Sequence, residues 1–199
     1  MPIALIPDTD LLHRVASNFR RVFNPRIFRA MGRDVLIATA SAKKARIILA
    51  FEELDREGLE QWMADGKAFI KFEKWETFQD GDDLYLMSPR LIQHRGYAYC
   101  YELARHLKPI EMWLFHKDVF GRDCPPSQRL IAKGLTSWQI GNNIATKWKK
   151  FKHPAALLCD FSRMDAHMLW DIRQILEWDY FHRCTDKWGR YLINFQRKW

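Results

Sequence analysis

The sequence has no long apolar run and no paired cysteine motif. None of its stretches approaches the roughly 18 consecutive apolar residues that a membrane-spanning helix needs. Residues 1–12 lack the charged and apolar regions of a secretory signal. The four cysteines lie far apart without a Cys-x-x-Cys spacing, which argues against zinc and disulfide frameworks and indicates reduced thiols in a cytosolic setting. Repeats, low-complexity tracts and clear linkers are also missing, so we expect one continuous unit.

Apolar and aromatic residues are abundant. Of the 199 residues, 48% are hydrophobic, and they include nine Trp and thirteen Phe. This composition excludes a disordered chain, because it supplies enough apolar surface to offset the entropy lost on folding. The length is sufficient for one domain or for two small domains in close contact.

Acidic residues are scarce in two long stretches, although the net charge of the whole chain is only +8. Residues 14–46 contain nine Lys or Arg and the single acid Asp34, and residues 129–152 contain six Lys or Arg and no acid. Such blocks attract polyphosphate backbones irrespective of base sequence. A solvated basic face is the alternative for either block alone. Two blocks in a Trp-rich globular chain favour a nucleic-acid partner.

Local patterns in the first half predict a helix followed by a β-hairpin. Ser41 is a candidate N-cap for a helix that continues through Leu54, with apolar residues at helical spacing. Two short strands, 67–74 and 84–93, flank the turn signal at 80–83. This arrangement predicts an antiparallel hairpin with a long tip.

Patterns in the second half predict two helices, then a strand and a long helix. Residues 97–120 are helical in pattern, with Pro109 as a kink or a boundary. Thr136 or Ser137 caps a further helix that ends at 147–150. The compact apolar run 155–159 predicts a buried strand, and residues 166–184 predict a long amphipathic helix. The expected fold class is therefore α/β, or more narrowly α+β.

Two aspartates at the junction between this strand and this helix are candidate catalytic residues. Asp160 would follow the strand directly, where its oxygens suit a hard cation such as Mg²⁺. Asp165 lies past the turn, where it could face the same cleft and accept from a sugar hydroxyl, or instead cap the following helix. The same spacing recurs at Asp118 and Asp123, where no strand precedes the first aspartate. Spacing alone therefore leaves metal binding and helix capping open.

Four cations occur on the two arms of the predicted hairpin. They suit the binding of a triphosphate, to which Arg offers a fork and Lys a point charge. They also suit the protection of a sheet edge against aggregation. These cations are Lys71, Lys74, Arg90 and Arg95.

Four segments, taken in order, carry a resemblance to a known family. They are Phe69-Ile-Lys71-Phe-Glu-Lys74; Ser88-Pro-Arg90-Leu-Ile-Gln93-His-Arg95-Gly-Tyr97 leading into Glu102-Leu-Ala-Arg105-His-Leu-Lys108-Pro109-Ile-Glu111; Leu130-Ile-Ala-Lys133-Gly134-Leu135; and Asp160-Phe-Ser-Arg163-Met-Asp165-Ala-His167. The chain resembles the RNA-dependent RNA polymerases of tombusvirus-like and carmovirus-like plant viruses over about residues 67–180. The first two segments are similar to the two arms of motif F, and the last is similar to motif A.

The resemblance implies a partial right-hand polymerase. Its mostly helical fingers would occupy 1–153 and include the motif F hairpin 67–95, and the palm would begin at 154–199 with its first strand and helix. Asp160 would ligate catalytic Mg²⁺ (or Mn²⁺), and Asp165 would recognise the ribose 2′-hydroxyl of the incoming nucleotide. The hairpin cations would contact the nucleoside triphosphate: Arg90, Arg95, Lys71 and Lys74. The basic block supplies candidate RNA-binding residues: Arg129, Lys133, Lys147, Lys149 and Lys150.

Some positions depart from the family pattern. His94 stands where the family usually has Pro, and Met164 stands where Phe is usual; we interpret both as packing positions. Gly81-Asp82-Asp83 resembles motif C, but it precedes the motif A segment and no apolar strand leads into it, so a turn at the hairpin tip is the simpler interpretation.

Motifs B and C are missing from the expected place. Only 34 residues follow Asp165, and they contain neither a Ser-Gly…Thr…Asn pattern nor a Gly-Asp-Asp. Because two-metal phosphoryl transfer needs a second acidic cluster, we expect no RNA synthesis from this chain alone.

The expected partners are viral RNA template and product, nucleoside triphosphates, and a continuation or second chain that supplies motifs B and C. The expected location is the host cytoplasm, including membrane-associated replication complexes reached through other segments or partners. The alternative is a non-enzymatic, basic RNA-binding protein built on the same fold fragment.

Overall fold

The computed structural model describes residues 8–40, 42–71, 78–80, 83–85, 91–159 and 170–195. Its helices and strands are, in chain order, α1 (Thr9–Val22), α2 (Arg33–Thr39), α3 (Lys44–Glu57), α4 (Gln61–Ala64), β1 (Lys67–Ile70), β2 (Phe78–Asp80), β3 (Asp83–Tyr85), β4 (Leu91–His94), α5 (Tyr97–Phe115), a 3-10 turn (Pro126–Gln128), α6 (Ser137–Trp148), α7 (170–184) and α8 (Lys187–Phe195). The described chain is thus mostly helical with small antiparallel sheets, as the sequence predicts. None of these helices is both long and apolar enough to span a membrane.

The chain divides into two compact units. The first unit combines Met1–Arg33 with Ala104–Asn194, and the second combines Asp34–Leu103 with Phe195–Trp199. This division does not follow the boundary at residue 153 that the resemblance implies. The assignment of fingers and palm therefore stays a prediction.

The core of the first unit brings together residues from three distant parts of the chain. Phe23, Ile110, Tyr180 and Cys184 are buried against one another. Backbone hydrogen bonds join the same parts: the N–H of Phe28 donates to the Cys184 carbonyl at 2.9 Å. Each fully buried apolar side chain of this size contributes about 1.5–3 kcal/mol, so the cluster holds the first unit together.

Helix α7 contains an internal change of hydrogen-bonding pattern. Trp170–Ile172 and Asp179–Cys184 are α-helical, whereas the six residues Arg173–Trp178 between them form a π-helix. The predicted helix 166–184 is confirmed over the part that the structure describes, and the π stretch was not predicted. A π turn widens a helix, and such turns often occur at functional sites.

The second unit is built on α3, α4 and the start of α5. Leu36, Phe51, Met63 and Tyr99 are among its buried residues. The N–H of Gly96 donates to the carbonyl of Met63 at 2.8 Å, and an added Cβ at Gly96 would lie only 2.8 Å from that oxygen. Glycine at this position therefore allows the start of α5 to approach α4.

The predicted β-hairpin is confirmed as two antiparallel ladders. β1 pairs with β4 from Lys67↔His94 to Ile70↔Leu91, and β2 pairs with β3 from Phe78↔Tyr85 to Asp80↔Asp83. Residues 81 and 82, between the two strands of the second ladder, lie outside the described residues. This pairing agrees with the interpretation of Gly81-Asp82-Asp83 as a turn sequence.

The predicted buried strand at 155–159 is wrong. These residues belong to neither a helix nor a strand, and Leu157 and Leu158 are 88% and 93% exposed. The physical reason is that a short run of Ala and Leu has weak strand propensity and depends on a neighbouring strand for its hydrogen bonds. No strand of the described chain pairs with it.

Candidate nucleotide- and RNA-binding sites

The hairpin fixes the positions of two of its four predicted cations. Lys71 follows the last residue of β1, and Arg95 follows the last residue of β4. In the β1–β4 register, the residue opposite Lys67 is His94, so Arg95 and Lys71 lie beyond opposite ends of the ladder. Four residue pairs lie between them, so they are five residue steps apart, which at about 3.4 Å per step is about 17 Å along the ladder. One phosphate group cannot contact both, although the ends of an extended ligand could.

Arg90 and Lys74 lie outside the described residues, so the structure does not place the other two cations. Arg95 itself is half-buried, and its Nε is buried without a hydrogen-bond partner among the described residues. Its carbonyl accepts a hydrogen bond from the Cys100 thiol at 3.7 Å. Burial raises the pKa of that thiol, so Cys100 remains a neutral donor.

Aromatic rings connect the base of the hairpin to α5. The rings of Phe69 and His94 lie 5.6 Å apart between centroids, those of His94 and Tyr97 lie 6.3 Å apart, and those of Tyr97 and Tyr101 lie 6.0 Å apart. The guanidinium of Arg46 lies 4.9 Å from the centre of the Tyr97 ring. His94 therefore acts as a packing residue, as we interpreted it. Such ring contacts contribute about 0.5–1.5 kcal/mol each beyond area burial, which stiffens the attachment of the hairpin.

The second basic block is anchored through the inner face of α6. Asn143 is buried and donates to the carbonyls of Pro126 at 2.7 Å and Arg129 at 3.1 Å. The Lys147 ammonium donates to the same Arg129 carbonyl at 2.7 Å. The Lys147 ammonium therefore stabilises the loop that precedes α6. This differs from the RNA-binding role that we predicted for Lys147.

Two candidate RNA-binding residues line one open pocket. Arg129 and Lys133 border a cavity of about 350 Å³ together with Phe115 and Gln139. The Lys133 ammonium is 3.9 Å from the Glu111 carboxylate and 5.4 Å from the centre of the Phe115 ring. Its side chain is 69% exposed, so this cation remains accessible to a phosphate.

Lys149 and Lys150 lie just beyond the last residue of α6, and both are exposed. Cations at a helix C-terminus complement the negative end of the helix dipole. The five predicted RNA-binding residues thus share one segment of the first unit, and three of the five, Lys133, Lys149 and Lys150, are exposed.

Asp118 and Asp123 repeat the spacing of the predicted catalytic pair, and local contacts account for both. The Asp118 carboxylate accepts hydrogen bonds from the Phe120 N–H at 2.8 Å and from the Arg122 N–H and Nε at 3.0 and 2.9 Å. Burial favours the neutral form of Asp118, but these hydrogen bonds outweigh it and hold the pKa of Asp118 below its ordinary value. Asp123 accepts from the buried ammonium of Lys117 at 2.9 Å.

Asp160 and Asp165, the predicted catalytic pair, lie outside the described residues. Within the described ranges, no group of three His, Cys, Asp or Glu side chains could hold a metal ion. The predicted Mg²⁺ site therefore stays a prediction that rests on the motif A resemblance.

The structure also contains a polar pocket that the sequence did not predict. His13 and Arg20 of α1 border a cavity of about 520 Å³ together with Gln174 and Asp179 of α7. Arg20 donates to Asp179 at 2.6 Å, and Arg183 donates to the same carboxylate at 3.1 Å. Arg20 and Asp179 are 159 positions apart in the chain, so no local pattern could have paired them.

Comparison with known proteins places the chain in a family. The family model described as viral RNA dependent RNA polymerase matches residues 9–173. The RNA-directed RNA polymerase of groundnut rosette virus (strain MC1) is 26% identical over 184 residues, covering 81% of this chain and 21% of that protein. The RNA-directed RNA polymerase of tobacco necrosis virus (strain D) is 32% identical over 146 residues, covering 72% of this chain and 19% of that protein.

A third relative, the RNA-directed RNA polymerase of carnation mottle virus, is 29% identical over 156 residues, covering 78% of this chain and 18% of that protein. The chain therefore spans about a fifth of the length of these relatives. No solved structure matches it. Since the family model matches well over half of the chain, including α1, the hairpin, α5 and α6, the chain belongs to the viral RNA-dependent RNA polymerase family.

Proposed function

We propose that this chain contributes to template-directed nucleotidyl transfer in viral RNA replication. The observation that carries the proposal is the paired hairpin β1–β4, with Lys71 and Arg95 at its ends, in a chain that the family model matches over residues 9–173. In this proposal the hairpin guides nucleoside triphosphates, and the segment 129–152 contacts the RNA backbone. The fingers and palm assignment, 1–153 and 154–199, is part of the same proposal.

The chemical centre of the proposal is Asp160. It would ligate Mg²⁺ or Mn²⁺, and Asp165 would select ribonucleotides through the 2′-hydroxyl. A divalent ion in such a site stabilises charge on the transferred phosphoryl group. Arg90 and Lys74 complete the proposed triphosphate contacts with Arg95 and Lys71.

The proposal also includes a partner and a place. Motifs B and C would come from a continuation of the chain or from a second chain, and the complex would act in the host cytoplasm. The exposed apolar segment at 155–159 supports this part, because Leu157 and Leu158 are left 88% and 93% in contact with solvent. Contiguous exposed apolar surface commonly marks a site of interaction with a partner.

RNA synthesis tests the proposal directly. We expect Mg²⁺-dependent synthesis when this chain is supplied with a polypeptide that contains motifs B and C, and none from this chain alone. Asp160→Asn should abolish the synthesis. Arg90→Ala should weaken nucleotide binding more than RNA binding, because the proposed contact of the Arg90 guanidinium is with the triphosphate of the nucleotide. Robust synthesis by this chain alone, or full activity of Asp160→Asn, would show that the catalytic centre is misplaced.

An RNA-binding role without catalysis is the competing function. Six Lys or Arg without an acid in residues 129–152 favour it, since such a surface binds RNA with or without a metal site. Nucleotide-specific, Mg²⁺-dependent binding would support the polymerase, whereas RNA binding that depends only on salt would support the competing function.

A further inference from the structure

The inner face of α6 is defined by its contacts with the loop before it. Asn143 and Lys147, one helical turn apart, both donate to the Arg129 carbonyl, at 3.1 and 2.7 Å. Since α-helical residues advance by about 100° each, the positions on the opposite side of α6 are 138, 141, 145 and 148. These four positions therefore form the outer face of α6, opposite the face that contacts the Arg129 carbonyl.

That outer face carries two tryptophans separated by two small residues. Trp138 is 77% exposed and Trp148 is 45% exposed. Gly141 and Ala145 lie between them, and both are exposed. We name these four residues the Trp stripe. At about 1.5 Å per residue, the two indoles are attached about 15 Å apart along the helix. The residues between them on this face, Gly141 and Ala145, carry no side chain larger than a methyl group.

The segment of sequence around the Trp stripe contains basic residues and no acidic ones. Residues 124–159 contain no Asp or Glu. Lys149, Lys150 and Lys152 follow the stripe directly, and all three are exposed. Exposed aromatic rings beside cations are the features by which proteins bind single-stranded nucleic acid: the bases stack on the rings, and the cations neutralise the phosphates.

We propose that the Trp stripe is a stacking platform for the bases of single-stranded RNA, with the phosphates neutralised by Lys149, Lys150 and Lys152. The identity of the ligand as RNA rests on the proposed function. The platform tolerates any base sequence, because every base presents a π face. It does not bind duplex RNA through stacking, since the bases of a duplex are already stacked and paired.

The test is binding of a labelled single-stranded homopolymer RNA and of an RNA duplex, measured by fluorescence anisotropy in EDTA without nucleotides. Trp138→Ala should weaken single-strand binding about five-fold or more, and Trp138→Phe should retain most of the affinity. The dependence of binding on salt should not change, because no phosphate contact is lost. The control is Trp188→Ala on α8, another exposed tryptophan at 45%, which should bind as the unmodified chain does.

The lysines supply the complementary measurement. Replacing Lys149 and Lys150 together by Ala should lower affinity for single strand and duplex alike and reduce the slope of log affinity against log salt by about 0.7 for each lost single-strand phosphate contact. Trp138→Ala, by contrast, should leave duplex binding unchanged. This contrast separates stacking from charge.

Three results would overturn the proposal. The first is normal binding of single strands by Trp138→Ala, and the second is an equal loss of duplex and single-strand binding. The third is that Trp138→Ala loses its association with a polypeptide that contains motifs B and C, which would make the Trp stripe a protein interface. Because metal and nucleotides are absent from this assay, each of these results leaves the polymerase proposal standing. Loss of synthesis in Asp160→Asn with normal stacking would likewise leave the platform standing.

Discussion

Replacing Gly121 by alanine should destabilise the first unit more than the same replacement at Gly134. Gly121 lies in the turn between Asp118 and Arg122 and has a φ of +75°, and Gly134 has a φ of +79°. Both are in the left-handed region that L-residues adopt at a penalty of about 1–2 kcal/mol. The two glycines differ in their surroundings, and this makes them a matched pair.

An added Cβ at Gly121 would lie 2.2 Å from the carbonyl oxygen of Val22, whereas nothing lies within 4 Å of an added Cβ at Gly134. Val22 ends α1, so its carbonyl cannot move without displacing the helix end. Overpacking of this kind adds about 1–3 kcal/mol to the strain of the left-handed backbone. We therefore expect a loss of unfolding free energy of about 2–5 kcal/mol for Gly121→Ala and about 1–2 kcal/mol for Gly134→Ala.

Urea denaturation followed by tryptophan fluorescence measures both variants. A second pair separates the two causes: asparagine tolerates the left-handed region but still carries a Cβ. Gly121→Asn should remain strongly destabilised, and Gly134→Asn should be nearly neutral. Equal losses at the two glycines, or rescue of Gly121 by asparagine, would refute the close approach to Val22 as the cause.

Two further predictions concern the polar contacts of the first unit. Asn143→Ala should lower the unfolding free energy by about 1–3 kcal/mol, because it removes the buried amide that donates to the Pro126 and Arg129 carbonyls. Asn142→Ala, at the exposed neighbouring position, should be nearly neutral in the same denaturation assay. Asp118, whose folded pKa is lowered, should stabilise the unit above the ordinary carboxyl pKa and lose that contribution as the pH falls through its folded pKa. The stability gap between the unmodified chain and Asp118→Asn should therefore shrink from about pH 6 to about pH 2, and a gap that stays constant on acidification would contradict this explanation.

Elements with local signals were predictable from the sequence. Thr136 accepts a hydrogen bond from the Gln139 N–H at 3.3 Å while the Gln139 side chain accepts from the Thr136 N–H at 2.9 Å, so the capping box that starts α6 lies within four residues. Gly58, at a φ of +73°, ends α3 in the same local manner. The hairpin was predictable because its alternating arms flank a turn sequence. Each of these signals acts between near neighbours, which is why a single sequence reveals them.

Features that depend on distant or missing neighbours were not predictable. The run 155–159 has the composition of a buried strand but no strand to pair with in the described chain, so its leucines remain exposed. The role of Lys147 depends on a carbonyl 18 residues away, and charge counting alone assigned it to RNA. The π stretch Arg173–Trp178 has no recognised sequence pattern. The family, by contrast, was identified from motif order, which does not depend on knowing the contacts.

The recurrence of one spacing shows how a structural aspartate and a catalytic one can be told apart. Asp118 accepts from the Phe120 N–H and from two donors of Arg122, so its oxygens already have partners and are poorly placed to bind a cation. A metal-binding carboxylate needs oxygens that are free of such donors. If Asp160 meets this condition, Asp160→Asn should abolish Mg²⁺-dependent synthesis and leave the unfolding free energy nearly unchanged. Asp118→Asn should lower the unfolding free energy and leave the synthesis nearly unchanged. Measuring both properties on both variants decides the matter, because two variants with the same pattern would mean that Asp160 is held by local donors as Asp118 is.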